Sequence, residues 1–203
     1  MGALLSILLL GFTGCAYMQG YVEMAKDKGL SDEYQAALDT WTRTKTVHSQ
    51  FETKATITAT LKSQAFNGAY LKEYERAYQL TPSEKKKWED TQAGLAADFT
   101  EFLFYAYIPE KEANDFDRQG SLWTVFIIDD KGNRVEPVEI RRVDKITTVL
   151  EAFYPYLNKY YGNFYSLKFK PLAGLDAKPG DPSRKPVKLV MTSVIARVEL
   201  TWQ

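Results

Sequence analysis

Phe51-Glu52-Thr53-Lys54-Ala55-Thr56-Ile57-Thr58-Ala59-Thr60-Leu61-Lys62 alternates with a period of two. Phe51, Thr53, Ala55, Ile57, Ala59 and Leu61 fall on one face of an extended chain, and Glu52, Lys54, Thr56, Thr58, Thr60 and Lys62 on the other. The stretch predicts a half-buried strand, and its small alanines predict that another element packs closely on it. Helical periods flank it on both sides, and a chain of this length is ample for one core and marginal for two.

Upstream, Ser31 reads as a helix N-cap, followed by Tyr34, Ala37, Leu38 and Trp41 on one helical face. The β-branched run Thr40-Trp41-Thr42-Arg43-Thr44-Lys45-Thr46 predicts that this helix weakens toward its end. Downstream, Tyr70, Tyr74, Ala77 and Tyr78 share a second helical face. Thr81-Pro82-Ser83-Glu84 is a capping box with proline at the first helical position, where its missing N–H costs nothing. The helix it starts carries Trp88 and Leu95 among many charges, which predicts a peripheral element.

Phe99 to Ile108 is apolar on both faces and predicts a central strand covered on both sides. Leu122–Asp129 and Val135–Arg142 flank the turn Asp130-Lys131-Gly132-Asn133 and predict a hairpin, with Pro137 placing the returning arm at an edge or a bulge. Ile146, Val149, Leu150 and Phe153 predict a short helix, and Tyr165, Leu167 and Phe169 a strand. Residues 170–186 hold four prolines and predict a surface loop. Val187 to Trp202 alternates, with a phase shift near Ser193 that predicts a bulge or a crossing between sheets. The sum is an α+β fold: an antiparallel sheet or small β-sandwich of immunoglobulin-like kind, with several helices mostly in the N-terminal half.

The chain has 203 residues, with 26 basic and 26 acidic side chains. This balance, without a basic stripe, argues against nucleic acid as a partner. Cys15 is the only cysteine, so no intrachain disulfide forms. It ends the only long apolar run. Met1 to Val22 carries no charged side chain, and Leu4-Leu5-Ser6-Ile7-Leu8-Leu9-Leu10-Gly11-Phe12 has signal-peptide length. No Lys or Arg precedes Cys15, so either translation starts upstream of Met1 or the amino terminus supplies the only positive charge. The strongly apolar part stops near Phe12, short of the ~20 residues a spanning helix needs.

Phe12-Thr13-Gly14-Cys15-Ala16 resembles the lipobox of a bacterial lipoprotein with a type II signal peptide. That resemblance implies cleavage between Gly14 and Cys15 and acylation of Cys15. It also implies outer-membrane sorting, because Ala16 stands where an inner-membrane retention signal has Asp. The expected organisation is a signal peptide at 1–14, a lipidated tether at 15–30 and one periplasmic α+β domain at 31–203. Trp41-Thr42-Arg43, Ala59-Thr60, Phe66 with the Tyr-rich helix, and Phe153-Tyr154-Pro155-Tyr156 resemble an uncharacterised group of deltaproteobacterial lipoproteins. That group implies no activity, and only the lipid anchor on Cys15 carries over.

Nothing in the chain assembles a familiar catalytic motif. His48 is the single histidine, so any Ser-His or Cys-His mechanism would have to use it, and no Gly-x-Ser-x-Gly elbow is present. Its position, where a Thr-rich helix end passes into a strand, reads as local and structural. Zinc is not expected without further His and Cys, and no cofactor is expected. Asn114-Asp115-Phe116-Asp117 and Asp129-Asp130-Lys131-Gly132-Asn133 read as turn chemistry rather than calcium loops. Lys85-Lys86-Lys87 reads as a solvated helix face.

The densest feature is Phe153 to Tyr165, a run rich in tyrosine with Asn158, Lys159, Gly162 and Asn163. It is either a core corner or a binding surface, with Tyr154, Tyr156, Tyr160 and Tyr161 as the candidate contacts. The expected function is a non-enzymatic protein-interaction or assembly module, anchored through Cys15 to the outer membrane, facing the periplasm and contacting an envelope protein. The alternative is a lipoprotein that binds a small ligand or cell-wall glycan through the aromatic surface.

Overall fold

The computed structural model describes residues 29–172, 174–175 and 185–202. The signal, Gly14 and Cys15 lie outside the described residues, as does most of the proline-rich loop. Among the described residues no helix is long and apolar enough to cross a membrane.

Helix α1 (Asp32–Trp41) leads directly into β1 (Thr42–Ser49), which pairs with β2 (Glu52–Leu61). Helices α2 (Gln64–Tyr78) and α3 (Pro82–Asp98) follow, then β3 (Thr100–Tyr107). The second half holds β4 (Thr124–Ile128), β5 (Arg134–Val135), β6 (Glu139–Arg142), α4 (Thr148–Phe153), β7 (Asn163–Phe169), β8 (Val187–Thr192) and β9 (Arg197–Trp202). One antiparallel sheet has the order β1-β2-β3-β7-β6 and the other β5-β4-β8-β9. The fold is α+β and sandwich-like. An immunoglobulin sandwich sends its third strand to the opposite sheet; here β3 stays beside β2, so the topology is its own.

The central position of β3 explains its apolar character on both faces. On one face Phe102 and Phe104 meet Trp202 and Phe116, with ring centroids 5.0 and 5.2 Å apart. Ala55, Ile57, Ala59 and Leu61 of β2 are buried on this side. The other face lies beneath the helices and the segment after α4: Tyr154 packs on Phe164 of β7 and on Phe66 of α2. Three threonines of β2, Thr56, Thr58 and Thr60, are on this side. Thr60, Thr58 and Thr56 meet Thr42, Thr44 and Thr46 of β1, with hydroxyls 2.8, 2.9 and 3.1 Å apart.

Four expectations are corrected. The Thr-rich run does not prolong α1; the helix stops at Trp41 and Thr42–Ser49 is a full strand, because β-branched side chains find cross-strand partners there. Phe51 does not share the buried face of β2 but sits in the β1–β2 turn, beside Gln50 at φ 57°. The returning arm Val135–Arg142 is not one strand. Pro137 has no N–H for a ladder, so pairing with β4 ends at Val135, and β6 crosses to pair with β7 in the other sheet. The phase shift near Ser193 is a hairpin turn, not a bulge. The Ser193 hydroxyl accepts from the N–H groups of Ile195 and Ala196, and the Ser193 N–H donates to the Ala196 carbonyl.

The capping box is present as read: Thr81 Oγ1 accepts from the Glu84 N–H, and Glu84 accepts from the Thr81 N–H at 2.8 Å. Helix α3 buries no residue and is peripheral, resting Trp88 on Tyr70. Within the run of lysines, Lys85 pairs with Glu75, and Lys86 and Lys87 are exposed.

Candidate functional site

The tyrosine-rich run divides in space. Tyr154 is core: it is buried against Phe66, Tyr70 and Phe164, and that burial pushes its hydroxyl well above the usual tyrosine range. It is therefore not part of a surface. Tyr156 is half-buried and its hydroxyl lies 2.9 Å from that of Thr60, so it ties the segment to the sheet; burial raises its pKa and the bond to Thr60 offsets part of the rise. Tyr160 and Tyr161 alone are exposed, at 74% and 64%.

The turn that carries them is pinned from below. The Tyr105 hydroxyl donates to the Asn158 carbonyl at 2.9 Å, and the Tyr160 N–H donates to Asn158 Oδ1 at 3.0 Å. Gly162 packs where no side chain fits: a Cβ there would lie 2.5 Å from the Ala106 carbonyl oxygen and still closer to the Tyr105 ring. These two hydrogen bonds and the close packing of Gly162 hold the turn, so its two outward rings are presented by a fixed scaffold.

A second concave surface lies at the end of the sandwich that holds the β1–β2 and β8–β9 turns. An open cleft of about 790 Å³ is bordered by Ser49, Glu52 and Lys54 of one hairpin, Tyr107 at the end of β3 with Pro109 beyond it, and Val194 of the other hairpin. Two large apolar side chains stand out at this end with no cover: Phe51 is fully exposed and Val194 is 93% exposed. Neither was legible as a site residue. Phe51 continues the alternation of β2, and a period of two does not distinguish the last strand residue from the first turn residue. Ser193, which accepts from two N–H groups of its own turn, was the available signal for the second tip.

His48 lies on the exposed edge strand with Thr53 Oγ1 3.4 Å from its Nδ1. The two acidic clusters do turn work. Asp129 accepts from Asn133 and Lys131, and the Asn133 bond holds its carboxyl below the ordinary range. Asp115 accepts from Ser121 and Leu122, while Asn114 bonds the Ala106 carbonyl and the Tyr165 hydroxyl. Among the described residues no group of three or more His, Cys, Asp or Glu side chains is gathered as metal ligands.

No known family model matches the chain, and no curated protein matches it. Among solved structures it is similar to a protein of unknown function from Burkholderia pseudomallei K96243, at 9% identity over 91% of this chain and 88% of that one, with a TM-score of 0.39. A likeness that distant says nothing about function.

Proposed function

We propose that the protein is a non-enzymatic contact module of the bacterial cell envelope. It is anchored through acylated Cys15 to the outer membrane, faces the periplasm, and engages an envelope protein through its hairpin-tip end. The observation that carries this reading is the pair of uncovered apolar side chains, Phe51 and Val194, on two separate hairpins that border one open cleft. Val194 lines the cleft itself, and Phe51 stands in the turn between the lining residues Ser49 and Glu52; uncovered apolar side chains beside a concave surface are a mark of contact sites. The resemblance of Phe12-Thr13-Gly14-Cys15-Ala16 to a lipobox supports the address.

A photo-crosslinking side chain at position 51 or 194, introduced in intact cells, tests it. One and the same protein adduct from both positions is expected, lost when the other tip is changed to Ser. Stability should stay within about 0.5 kcal/mol of wild type in Phe51→Ser and Val194→Ser, because neither side chain is buried. Retention on peptidoglycan with no protein adduct from either tip would sink the reading. Membrane retention that survives Cys15→Ser unchanged would remove the anchor.

A second reading, binding of a small ligand or cell-wall glycan, is favoured by the exposure of Tyr160 and Tyr161 on a pinned turn.

A further inference from the structure

Helix α2 carries tyrosines at 70, 74 and 78, four residues apart and so on one face. The rings of Tyr70 and Tyr74 lie 6.1 Å apart between centroids, and Trp88 of α3 stacks on Tyr70 at 6.0 Å. Tyr74 and Tyr78 are closer. Their centroids are 4.4 Å apart with the ring planes 37° from parallel, which puts the two phenols in direct contact. Tyr78 is 47% exposed and Tyr74 is half-buried, so a solute reaches this pair at the end of the helix. No described residue hydrogen-bonds the hydroxyl of either one.

Contact and accessibility coincide at this pair. Buried Phe153 of α4 packs on both rings, at 5.6 Å from Tyr74 and 6.5 Å from Tyr78, so the tertiary fold braces them at the helix end. Tyr160 and Tyr161 are more exposed, at 74% and 64%, so exposure alone would select them instead. Tyr70 differs from its two neighbours: burial, with Tyr74 and Tyr78 adding to it, pushes its hydroxyl up to about 12. It holds the proton that oxidation of a phenol has to release.

We propose that Tyr74 and Tyr78 are the site of an intramolecular dityrosine cross-link, formed when the protein meets a one-electron oxidant such as a peroxidase intermediate or a small inorganic radical. Each phenol gives up one electron and its proton, and the two tyrosyl radicals join through a carbon ortho to each oxygen. The hydrogens on those two carbons then leave as protons while the oxygens regain theirs from water, which restores both phenols. In sum, two C–H bonds are replaced by one C–C bond, two electrons pass to two equivalents of the oxidant, and two protons go to water. Holding the rings in contact turns the encounter of two radicals into an intramolecular step. The new bond closes the last turn of α2, which Gln79 caps at φ 52°. It requires neither a partner protein nor a glycan.

Brief illumination of the full chain with tris(bipyridine)ruthenium(II) and persulfate tests this, with monomer and covalent dimer separated before tryptic digestion. Trypsin cuts after Lys72, Arg76 and Lys85, so the link joins peptides 73–76 and 77–85 with the loss of two hydrogens. That species should appear in the monomer fraction, with dityrosine fluorescence, and should be lost in Tyr74→Phe and in Tyr78→Phe. Both variants should keep the wild-type thermal midpoint, because each removes only an oxygen that no described residue bonds. The link should persist in Tyr70→Phe and in the Tyr160→Phe/Tyr161→Phe double variant. In urea its yield should fall severalfold, because the fold holds the rings together. Oxidation of Tyr78 without joined peptides would overturn the site. An undiminished yield in urea would overturn it as well, and so would a yield no greater than that of a link within peptide 160–168, since exposure would then direct the reaction. Joined peptides found only in covalent dimers would assign the coupling to an encounter between two copies and overturn the intramolecular step.

Discussion

At the scale of residues, single side chains here close contacts that no local pattern announces. Glu73 is almost fully buried on α2, yet it accepts from the Ser31 hydroxyl and N–H and pairs with Arg76. Burial alone would raise its pKa, and the bonds from Arg76 and Ser31 outweigh it and hold the carboxyl below its usual range. Gly162 is the clearest single position. Its φ is not the reason for glycine there; the close approach of Tyr105 and the Ala106 carbonyl is. Gly162→Ala must shift backbone, and overpacking of this kind costs roughly 1–3 kcal/mol. Urea unfolding of the variant should show that loss. Wild-type stability in Gly162→Ala would mean that the turn is not held against β3 as described.

Three tyrosine hydroxyls carry a pH dependence. Burial is the largest cause that pushes Tyr70, Tyr105 and Tyr165 each up to about 12. The unfolded chain releases these protons near pH ~10. Between the two values the folded state holds more protons than the unfolded one, so stability is full below pH ~10 and is lost as pH rises toward 12. Denaturant unfolding followed across this window should show the decline. A stability that stays level up to pH 12 would be inconsistent with three hydroxyls held in their neutral form.

At the scale of elements, the threonine ladder joins β1 to β2. Three hydroxyl pairs line one face of this hairpin, and cross-strand pairs of this kind contribute roughly 0.2–1 kcal/mol each. A double-mutant cycle on Thr44→Val and Thr58→Val should return a coupling energy in that range. Additive single effects would place the hairpin's stability in backbone pairing and burial alone. The ladder also explains why Thr40 to Thr46 misleads as the end of a helix: the same residues that weaken a helix fit a pleated strand, and only a partner strand in register reveals the preference.

The elements with local chemistry of their own were legible. Thr81, Pro82 and Glu84 start α3, Ser31 starts α1, and the alternation from Glu52 to Leu61 makes β2, because each signal acts within a few residues. The breaks at Pro137 and Ser193 were visible as irregularities, but not what the chain does after them. A missing ladder N–H permits an edge, a bulge or a change of sheet, and the choice depends on which strand is within reach. For Glu139–Arg142 that strand is β7.

At the scale of the whole molecule, one side of the sandwich is closed by contacts between β1 and β9. The Arg43 guanidinium donates to the Thr201 carbonyl and to the carbonyls of Asp39, Thr40 and Thr42, and it lies over the Trp202 ring at 6.0 Å. The Trp202 indole in turn donates to the Trp41 carbonyl at 2.8 Å. These bonds join the end of α1 to the last strand, residues separated by most of the chain. Their counterpart is the hairpin-tip end, where Phe51 and Val194 stay in solvent.

The sequence by itself determined the class: period-two and period-3.6 patterns, caps and turns act over short distances and are written in neighbouring residues. It also contained every residue of the tyrosine-rich run, without saying which were surface. Only the tertiary structure decided that Tyr154 is core, Tyr156 a tie to Thr60, and Tyr160 and Tyr161 exposed. The physical reason is that burial depends on what arrives from elsewhere in the chain, here Phe66, Tyr105 and β7, and no local period encodes that arrival.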